Sequence, residues 1–218
     1  MNISLEGLIL SRRWFETPSG LTFEFWIQTR EGSVKVQIPG QESLFFVQHS
    51  AEIPEGPYRR EVLKLKSLRH LPVDAVYFKS QRALKDCASQ LKARGIPTLE
   101  SDVKPEDRFL MERFVCGSIH IEGDAHQREN YLEFTHPSIT PGHTVPDLEV
   151  ASIDIETEGL DGRLYSIGIY TEEQRVVLMV GEGSHSDLIH FYPDEPGLIN
   201  AFLTWIEIHD PDVLIGWN

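Results

Sequence analysis

The sequence predicts an α+β amino-terminal domain followed by an α/β domain. Three observations support this fold class. The first third is rich in strand-forming residues separated by turn residues, residues 73–122 alternate strand and helix patterns, and a proline-rich stretch precedes a second series of apolar strands. A length of 218 residues is sufficient for one large domain or two small ones.

The first third predicts four strands. These runs carry β-branched or aromatic residues with partial alternation, and they cover residues 5–14, 21–29, 34–38 and 44–48. The breaks between them at 18–20, 31–32 and 39–40 contain proline or glycine. The pattern indicates consecutive strands joined by turns.

Residues 73–122 predict a ferredoxin-like part. A strand at 73–78 is followed by a helix at 80–94, with Ser80 as its N-cap and Gly95 ending it. A short strand at 96–100, a helix that starts near Pro105 and a strand around residues 119–121 then follow. Phe109, Leu110 and Phe114 are expected to face inward. We expect one small sheet with helices on one face, completing a domain over 1–133.

Residues 134–149 contain three prolines without periodicity and predict a linker. The second domain, 150–218, predicts strands Val150–Thr157, Leu164–Tyr170 and Arg175–Val180, a loop at 181–193, the helix Glu195–His209 and a strand at 213–217. A helical crossover would return this last strand parallel to the first, so Asn218 would lie near the end of the first strand. Since the chain stops directly after a strand that looks central, we expect it to be part of a longer protein.

Composition narrows the function classes. No apolar run is long enough for a membrane span, the amino terminus lacks a signal-peptide pattern, and the two cysteines have no metal-ligand spacing, as expected for a cytoplasmic protein. A net charge of −14 argues against a protein that coats nucleic acid non-specifically. Residues 58–113 nevertheless carry 13 basic against 8 acidic residues. The densest basic run is a candidate phosphate-binding patch, with an ordinary solvated surface as the alternative: Arg59, Arg60, Lys64, Lys66 and Arg69.

Asp154 and Glu156 are the candidate catalytic residues. Residues two apart on a strand share a face, so both carboxylates point the same way where an apolar strand meets solvent. Two like charges side by side repel, and a divalent cation such as Mg²⁺, which takes oxygen ligands, would relieve the repulsion. The pair alone predicts half of a metal site. A solvated strand end is the alternative.

Several motifs resemble those of family B DNA polymerases. Ser-Ile-Asp-Ile-Glu-Thr at 152–157 is similar to their first exonuclease motif, and Asp-Pro-Asp-Val-Leu-Ile-Gly-Trp-Asn at 210–218 to the start of the second. The segment 107–114 is similar to the one before their exonuclease domain. The opening 7–14, together with Gln-Glu-Ser at 41–43, resembles bacterial members. The resemblance covers nearly the whole chain.

The resemblance implies a ribonuclease H-like proofreading domain that acts in DNA replication and repair at the bacterial nucleoid. By that likeness Asp154 and Glu156 would hold two Mg²⁺ or Mn²⁺ ions, with Asp154 bridging them, and Asn218 would line the site near the DNA 3′ end. The partners would be template and primer DNA, with a sliding clamp bound through other regions. The rest of the second motif, the third motif and the polymerase domain are absent from these residues, so we expect this stretch alone to be inactive.

Two other functions stay open. The basic amino-terminal region could belong to a nucleic-acid-binding or protein-binding module without catalysis, or the chain could be a stand-alone ribonuclease H-like exonuclease. The reading frame beyond residue 218 separates them: a continuation with Phe-Asp favours the polymerase, and a stop codon overturns it.

Overall fold

The computed structural model describes residues 2–160 and 162–216, and these residues form two compact units. The first unit is Met1–Pro146 and the second is Asp147–Asn218. The predicted site residue Asn218 lies outside the described residues. No helix within the described ranges is long and apolar enough to span a membrane.

The first unit contains nine strands and two helices among its described residues. They are β1 (Asn2–Thr17), β2 (Gly20–Thr29), β3 (Gly32–Gln41), β4 (Ser43–Gln48), β5 (Tyr58–Lys66), β6 (Pro72–Phe78), α1 (Gln81–Ala93), α2 (Pro105–Met111), β7 (Ser118–Gln127), β8 (Leu132–Thr135) and β9 (Ser138–Pro141). The four strands predicted for the first third are confirmed with longer bounds, and β5 is a strand that the sequence pattern did not indicate.

Six of these strands form one sheet that closes on itself. Its order is β1-β2-β3-β8-β7-β9, and the long β1 also pairs with β7. Gly7 lies where β1 changes partners, since it pairs with Thr29 on one side and Ile119 on the other. A Cβ atom there would lie 2.3 Å from the carbonyl oxygen of Gln28, so the two chains can approach only with glycine at this position. The core inside this sheet is built from alternating residues such as Phe23, Phe25 and Phe134.

The ferredoxin-like prediction is wrong. The strand β6 belongs to a separate three-stranded antiparallel sheet of order β4-β6-β5, whereas β7 belongs to the six-stranded sheet. The predicted strand at 96–100 is reduced to a single bridge between Leu99 and Phe46. Periodicity identified the apolar face of β7 but could not identify the sheet that buries it, because alternation carries no information about strand partners.

The predicted N-cap of α1 is confirmed, whereas the predicted burial of Phe114 after α2 is wrong. The Ser80 side chain caps α1 by accepting a hydrogen bond from the backbone N–H of Ala83. Phe109 and Leu110 are buried as expected, but Phe114 is 83% exposed. Phe114 has a φ of 57° just after α2, where the backbone N–H of Val115 donates to the Leu110 carbonyl. The chain therefore leaves the helix through a left-handed residue, which turns the Phe114 side chain outward.

The predicted linker is also corrected in part. Phe134 on β8 is fully buried, and β9 pairs with β7 inside the sheet of the first unit. The prolines that suggested a linker lie at the ends of this segment's short strands: Pro137 between β8 and β9, and Pro141 at the end of β9. A proline can end an edge strand without leaving the sheet, so proline content alone placed the end of the first domain too early.

The second unit is a five-stranded sheet with one helix. Its elements are β10 (Val150–Thr157), β11 (Leu164–Tyr170), β12 (Arg175–Val180), β13 (Ile189–Tyr192), α3 (Glu195–His209) and β14 (Val213–Gly216), and the sheet order is β13-β12-β11-β10-β14. The antiparallel β10, β11 and β12 and the parallel pairing of β14 with β10 are as predicted. The strand β13 corrects the predicted loop, since it pairs parallel to β12.

The helix α3 packs on one face of this sheet. It begins after Asp194, whose carboxylate accepts from the Gly197 backbone N–H, and it buries Leu198 and Trp205. These side chains pack with Ala151 on β10 and with residues of β11 and β12. Ile199 and Leu203 of the same helix are exposed, because the stripe of α3 that contacts the sheet is narrower than its apolar face.

Candidate functional site

The carboxylates Asp154 and Glu156 lie on the sheet face that α3 does not cover. Ala151 and Ile153 point into the core under α3, so the residues between them and after them in the alternation point the other way. Asp154 lies opposite Gly168 of β11, and Glu156 lies opposite Ser166. The strand therefore places both carboxylates together at its carboxyl end, as the sequence predicted.

The space beside Asp154 is open. Gly168 has no side chain, and a Cβ atom there would lie 3.9 Å from the Asp154 Cβ. Asp154 lines a depression of about 210 Å³ together with Ser152, Tyr170 and Arg175 of the same face. Water and an ion can reach the carboxylate from this side.

Neither carboxylate is neutralised within the described chain. Asp154 and Glu156 are exposed, and no ion pair joins either to a residue in the described ranges. Hard oxygen donors on one strand face suit a divalent ion, but no third ligand stands beside them: the described residues contain no group of three or more His, Cys, Asp or Glu side chains that could hold a metal. The donor set therefore fits part of a metal site.

Two of the five candidate DNA-contacting cations are engaged inside the first unit. Arg59 bonds Glu42 at 2.9 Å and Glu61 at 2.7 Å, and the hydrogen bond to Glu42 is the largest cause of its raised pKa. Arg60 bonds the buried Asp74 at 2.8 Å and donates to the carbonyl oxygen of His49 at 2.7 Å. These guanidinium groups hold the three-stranded sheet and its neighbouring loop together.

The other three, Lys64, Lys66 and Arg69, are exposed and make no ion pair or side-chain hydrogen bond to any described residue. They lie at the end of β5 and in the turn that leads to β6. In the basic run, therefore, Arg59 and Arg60 have structural partners, whereas the other three cations have none among the described residues. Contact of those three with DNA stays a prediction.

Sequence reasoning did not identify Arg175 or Gly168 as site residues. Both join the site only through the pairing of β10 with β11 and of β11 with β12, in which Tyr170 lies opposite both Ser152 and Arg175. The Arg175 guanidinium lies 5.0 Å from the centre of the Tyr170 ring. Only a prediction of the register between the consecutive strands β10, β11 and β12 could have identified Gly168 and Arg175 from the sequence.

Comparison with known proteins identifies the chain's relatives. Residues 7–42 match the family of the amino-terminal region of DNA polymerase II. Over 227 aligned positions the chain is 35% identical to DNA polymerase II of Escherichia coli strain K12, covering 97% of this chain. The chain is homologous to the amino-terminal part of DNA polymerase II. It spans 28% of the length of that relative.

A solved structure supports the same fold. The family B DNA polymerase from the hyperthermophilic archaeon Pyrobaculum calidifontis superposes with a TM-score of 0.74 at 17% identity, over 98% of this chain and 30% of the archaeal chain. The predicted resemblance to family B DNA polymerases, including bacterial DNA polymerase II, is confirmed. The family match to DNA polymerase II begins in the opening segment 7–14 that first suggested it.

Proposed function

We propose that this chain serves as the amino-terminal part of a DNA-directed DNA polymerase that also carries a 3′–5′ exonuclease. The homology to DNA polymerase II along 97% of the chain carries this proposal. The substrates would be a DNA template and a primer 3′ end, in replication and repair at the bacterial nucleoid, with a sliding clamp as a further partner of the whole polymerase.

The second unit is the proposed exonuclease domain, with a ribonuclease H-like fold. Three consecutive antiparallel strands followed, after a helix, by a strand parallel to the first support this assignment. In open sheets that contain helical crossovers, ligands bind at the carboxyl ends of the strands. Asp154 and Glu156 lie at that end of β10.

The proposed role of Asp154 and Glu156 is to hold Mg²⁺ or Mn²⁺ at the 3′ end of DNA. Bound divalent ions would supply an activated water and stabilise the charge on the leaving 3′ oxygen. The chain's own residues supply the negative charge that attracts the ions, and Gly168 leaves the face open. Arg175 on the same face is a candidate for a DNA phosphate, since its guanidinium forms no ion pair with the described residues.

The metal-binding part of the proposal can be tested without activity. We expect Mn²⁺ added to ¹⁵N-labelled protein to broaden the amide signals of Gly168 and its neighbours, because Asp154 lies opposite Gly168. Asp154→Asn with Glu156→Gln should abolish the broadening there. Glu172→Gln with Glu173→Gln, an exposed acidic pair in a turn of the same unit, is the matched control and should leave it unchanged. Broadening centred on Glu172 and Glu173 instead would contradict the site.

A nuclease assay tests whether two carboxylate ligands are enough for catalysis. Since the described residues offer only two carboxylates at the site, we expect these 218 residues alone not to digest single-stranded DNA with Mg²⁺ or Mn²⁺. Robust 3′–5′ digestion that Asp154→Ala abolishes would show that two carboxylates suffice.

A further inference from the structure

The tip of the β5–β6 hairpin, residues 62–71, exposes large aliphatic side chains. Val62 is 69% exposed, Leu65 55%, Leu68 102% and Leu71 41%. Single exposed apolar residues are common on soluble proteins, but four within ten residues at one hairpin tip are a local concentration of the kind found at contact surfaces.

The same tip carries positive charge without any compensation. Lys64, Lys66 and Arg69 are exposed, and within the described ranges no carboxylate pairs with them. The sequence of the tip contains no Asp or Glu at all. By contrast, Arg59 and Arg60 at the other end of the same strand are fully engaged. The tip therefore offers unpaired cations beside unburied apolar groups.

Hydrogen bonds within the tip close its turn. The backbone N–H of Ser67 donates to the Leu71 carbonyl at 2.9 Å, and the N–H of His70 donates to the Ser67 carbonyl at 2.8 Å. The Ser67 hydroxyl accepts from the N–H of Leu71 at 3.3 Å. A turn that is already closed by hydrogen bonds loses less conformational entropy on contact, which favours recognition.

We propose that the hairpin tip is a docking surface for an acidic protein segment that carries large apolar side chains. Protein interfaces combine an apolar centre with a polar rim, and here Leu65 and Leu68 alternate along the sequence with the cations Lys64, Lys66 and Arg69. Charge complementarity requires an acidic partner. The tip has no Phe, Tyr or Trp, whereas single-stranded nucleic acid stacks its bases mainly on such aromatic rings and interfacial membrane anchors use Trp or Phe.

The proposed docking surface lies in the first unit and does not depend on the proposed polymerase function. The probe is a short fluorescein-labelled synthetic peptide of Asp, Leu, Gly and Ser. One control peptide has Leu replaced by Ser, and a second has Asp replaced by Lys. We expect the full 218-residue chain to bind the first peptide by fluorescence anisotropy and to bind both controls much more weakly.

Two sets of variants locate the contact. Leu65→Ser with Leu68→Ser should weaken binding about tenfold or more, as for residues at the centre of an interface. The matched control is Met111→Ser, an exposed apolar residue elsewhere in the unit. Lys64→Ala, Lys66→Ala and Arg69→Ala together should weaken binding and reduce its salt dependence. The charge control is the triple alanine variant of three exposed lysines that form no ion pair with any described residue, Lys79, Lys85 and Lys92.

The outcomes are decisive because all the replaced side chains are exposed and the variants should fold. Loss in the tip variants but not in the controls supports the proposal. Equal binding by the tip variants and the parent chain overturns it, as does failure to bind the first peptide. An oligo(dT) strand or anionic phospholipid vesicles whose binding depends on the same leucines would also overturn it, in favour of nucleic acid or membrane.

Discussion

The two units of this protein use carboxylates in opposite ways. In the first unit, 19 acidic residues are nearly balanced by 18 basic ones. Three of the four buried carboxylates among its described residues, Glu24, Asp74 and Glu133, are paired with cations. The fourth, Glu106, has no ion pair with the described residues, and burial raises its pKa. In the second unit, 15 acidic residues face only two arginines, and its described residues form no ion pair. The first unit therefore pairs most of its buried carboxylates internally, whereas no ion pair joins the described carboxylates of the second unit to a cation.

The physical reason lies in burial. A buried charge without a partner is costly, so a carboxylate inside a sheet persists only with a cation and hydrogen bonds around it. Asp154 and Glu156 are exposed to solvent and carry no such penalty, so they can stay unpaired. Four predictions test the extent of the first unit and this contrast, in order of decreasing expected effect.

The first prediction tests where the first unit ends. Phe134→Ala should lower the free energy of unfolding of that unit by about 3 to 4 kcal/mol, because it leaves a cavity in the core of the six-stranded sheet. Urea unfolding followed by tryptophan fluorescence measures the loss. Tyr131→Ala, at a half-buried surface position nearby, should cost much less. Equally small losses of stability in the Phe134→Ala and Tyr131→Ala variants would mean that residues 134–149 form a linker.

The second prediction removes a paired carboxylate. Asp74→Asn should destabilise the first unit by about 2 to 3 kcal/mol, since Arg60 and His49 would lose the charge they bond and Asp74 is buried. Chemical denaturation at neutral pH measures it. Asp86→Asn, whose carboxylate is exposed on α1, serves as the control. A loss as small as the control's would mean that burial does not make this pair important.

The third prediction concerns pH. Hydrogen bonds from Lys35 and Arg128 lower the pKa of Glu133 in the folded state. A lowered pKa stabilises the fold above the unfolded pKa, and this contribution is lost as the pH falls below about 4.5 through the folded value. We expect Glu133→Gln to cost about 1 kcal/mol at neutral pH and to have a smaller effect near pH 3. A cost that is the same at both pH values would contradict the linkage.

The smallest effect is expected in the second unit. Glu156→Gln should change its free energy of unfolding by less than about 0.5 kcal/mol, and in the stabilising direction, because it removes repulsion from Asp154. Thermal unfolding in a buffer without divalent ions measures this change. A marked destabilisation would mean that Glu156 has a structural partner and that the contrast between the units is weaker than the ion pairs indicate.

Local features were well predicted because their causes are local. The N-cap Ser80, the bounds of α3 and the strand β10 follow from capping chemistry and from the spacing of apolar residues. The shared face of Asp154 and Glu156 follows from strand alternation. In contrast, the prediction of a ferredoxin-like sheet was wrong because it required knowing which strand pairs with β7. The prediction that Phe114 is buried was wrong because its own left-handed backbone conformation turns the side chain outward.

The basic run shows the same division. Its composition alone could not distinguish Arg59 and Arg60, which bond acids distant in sequence, from Lys64, Lys66 and Arg69, which bond none within the described chain. Likewise, only the register of β11 and β12 brought Gly168 and Arg175 to the face of Asp154.

The sequence by itself determined the secondary structure around the site, the family resemblance and the pair of carboxylates on one strand face. Tertiary structure decided which charges are used and which are free, which sheet each strand joins, and which aliphatic side chains remain exposed at the hairpin tip. The reason is that periodicity and capping depend on neighbours a few positions away, whereas burial and pairing depend on groups brought together from distant parts of the chain.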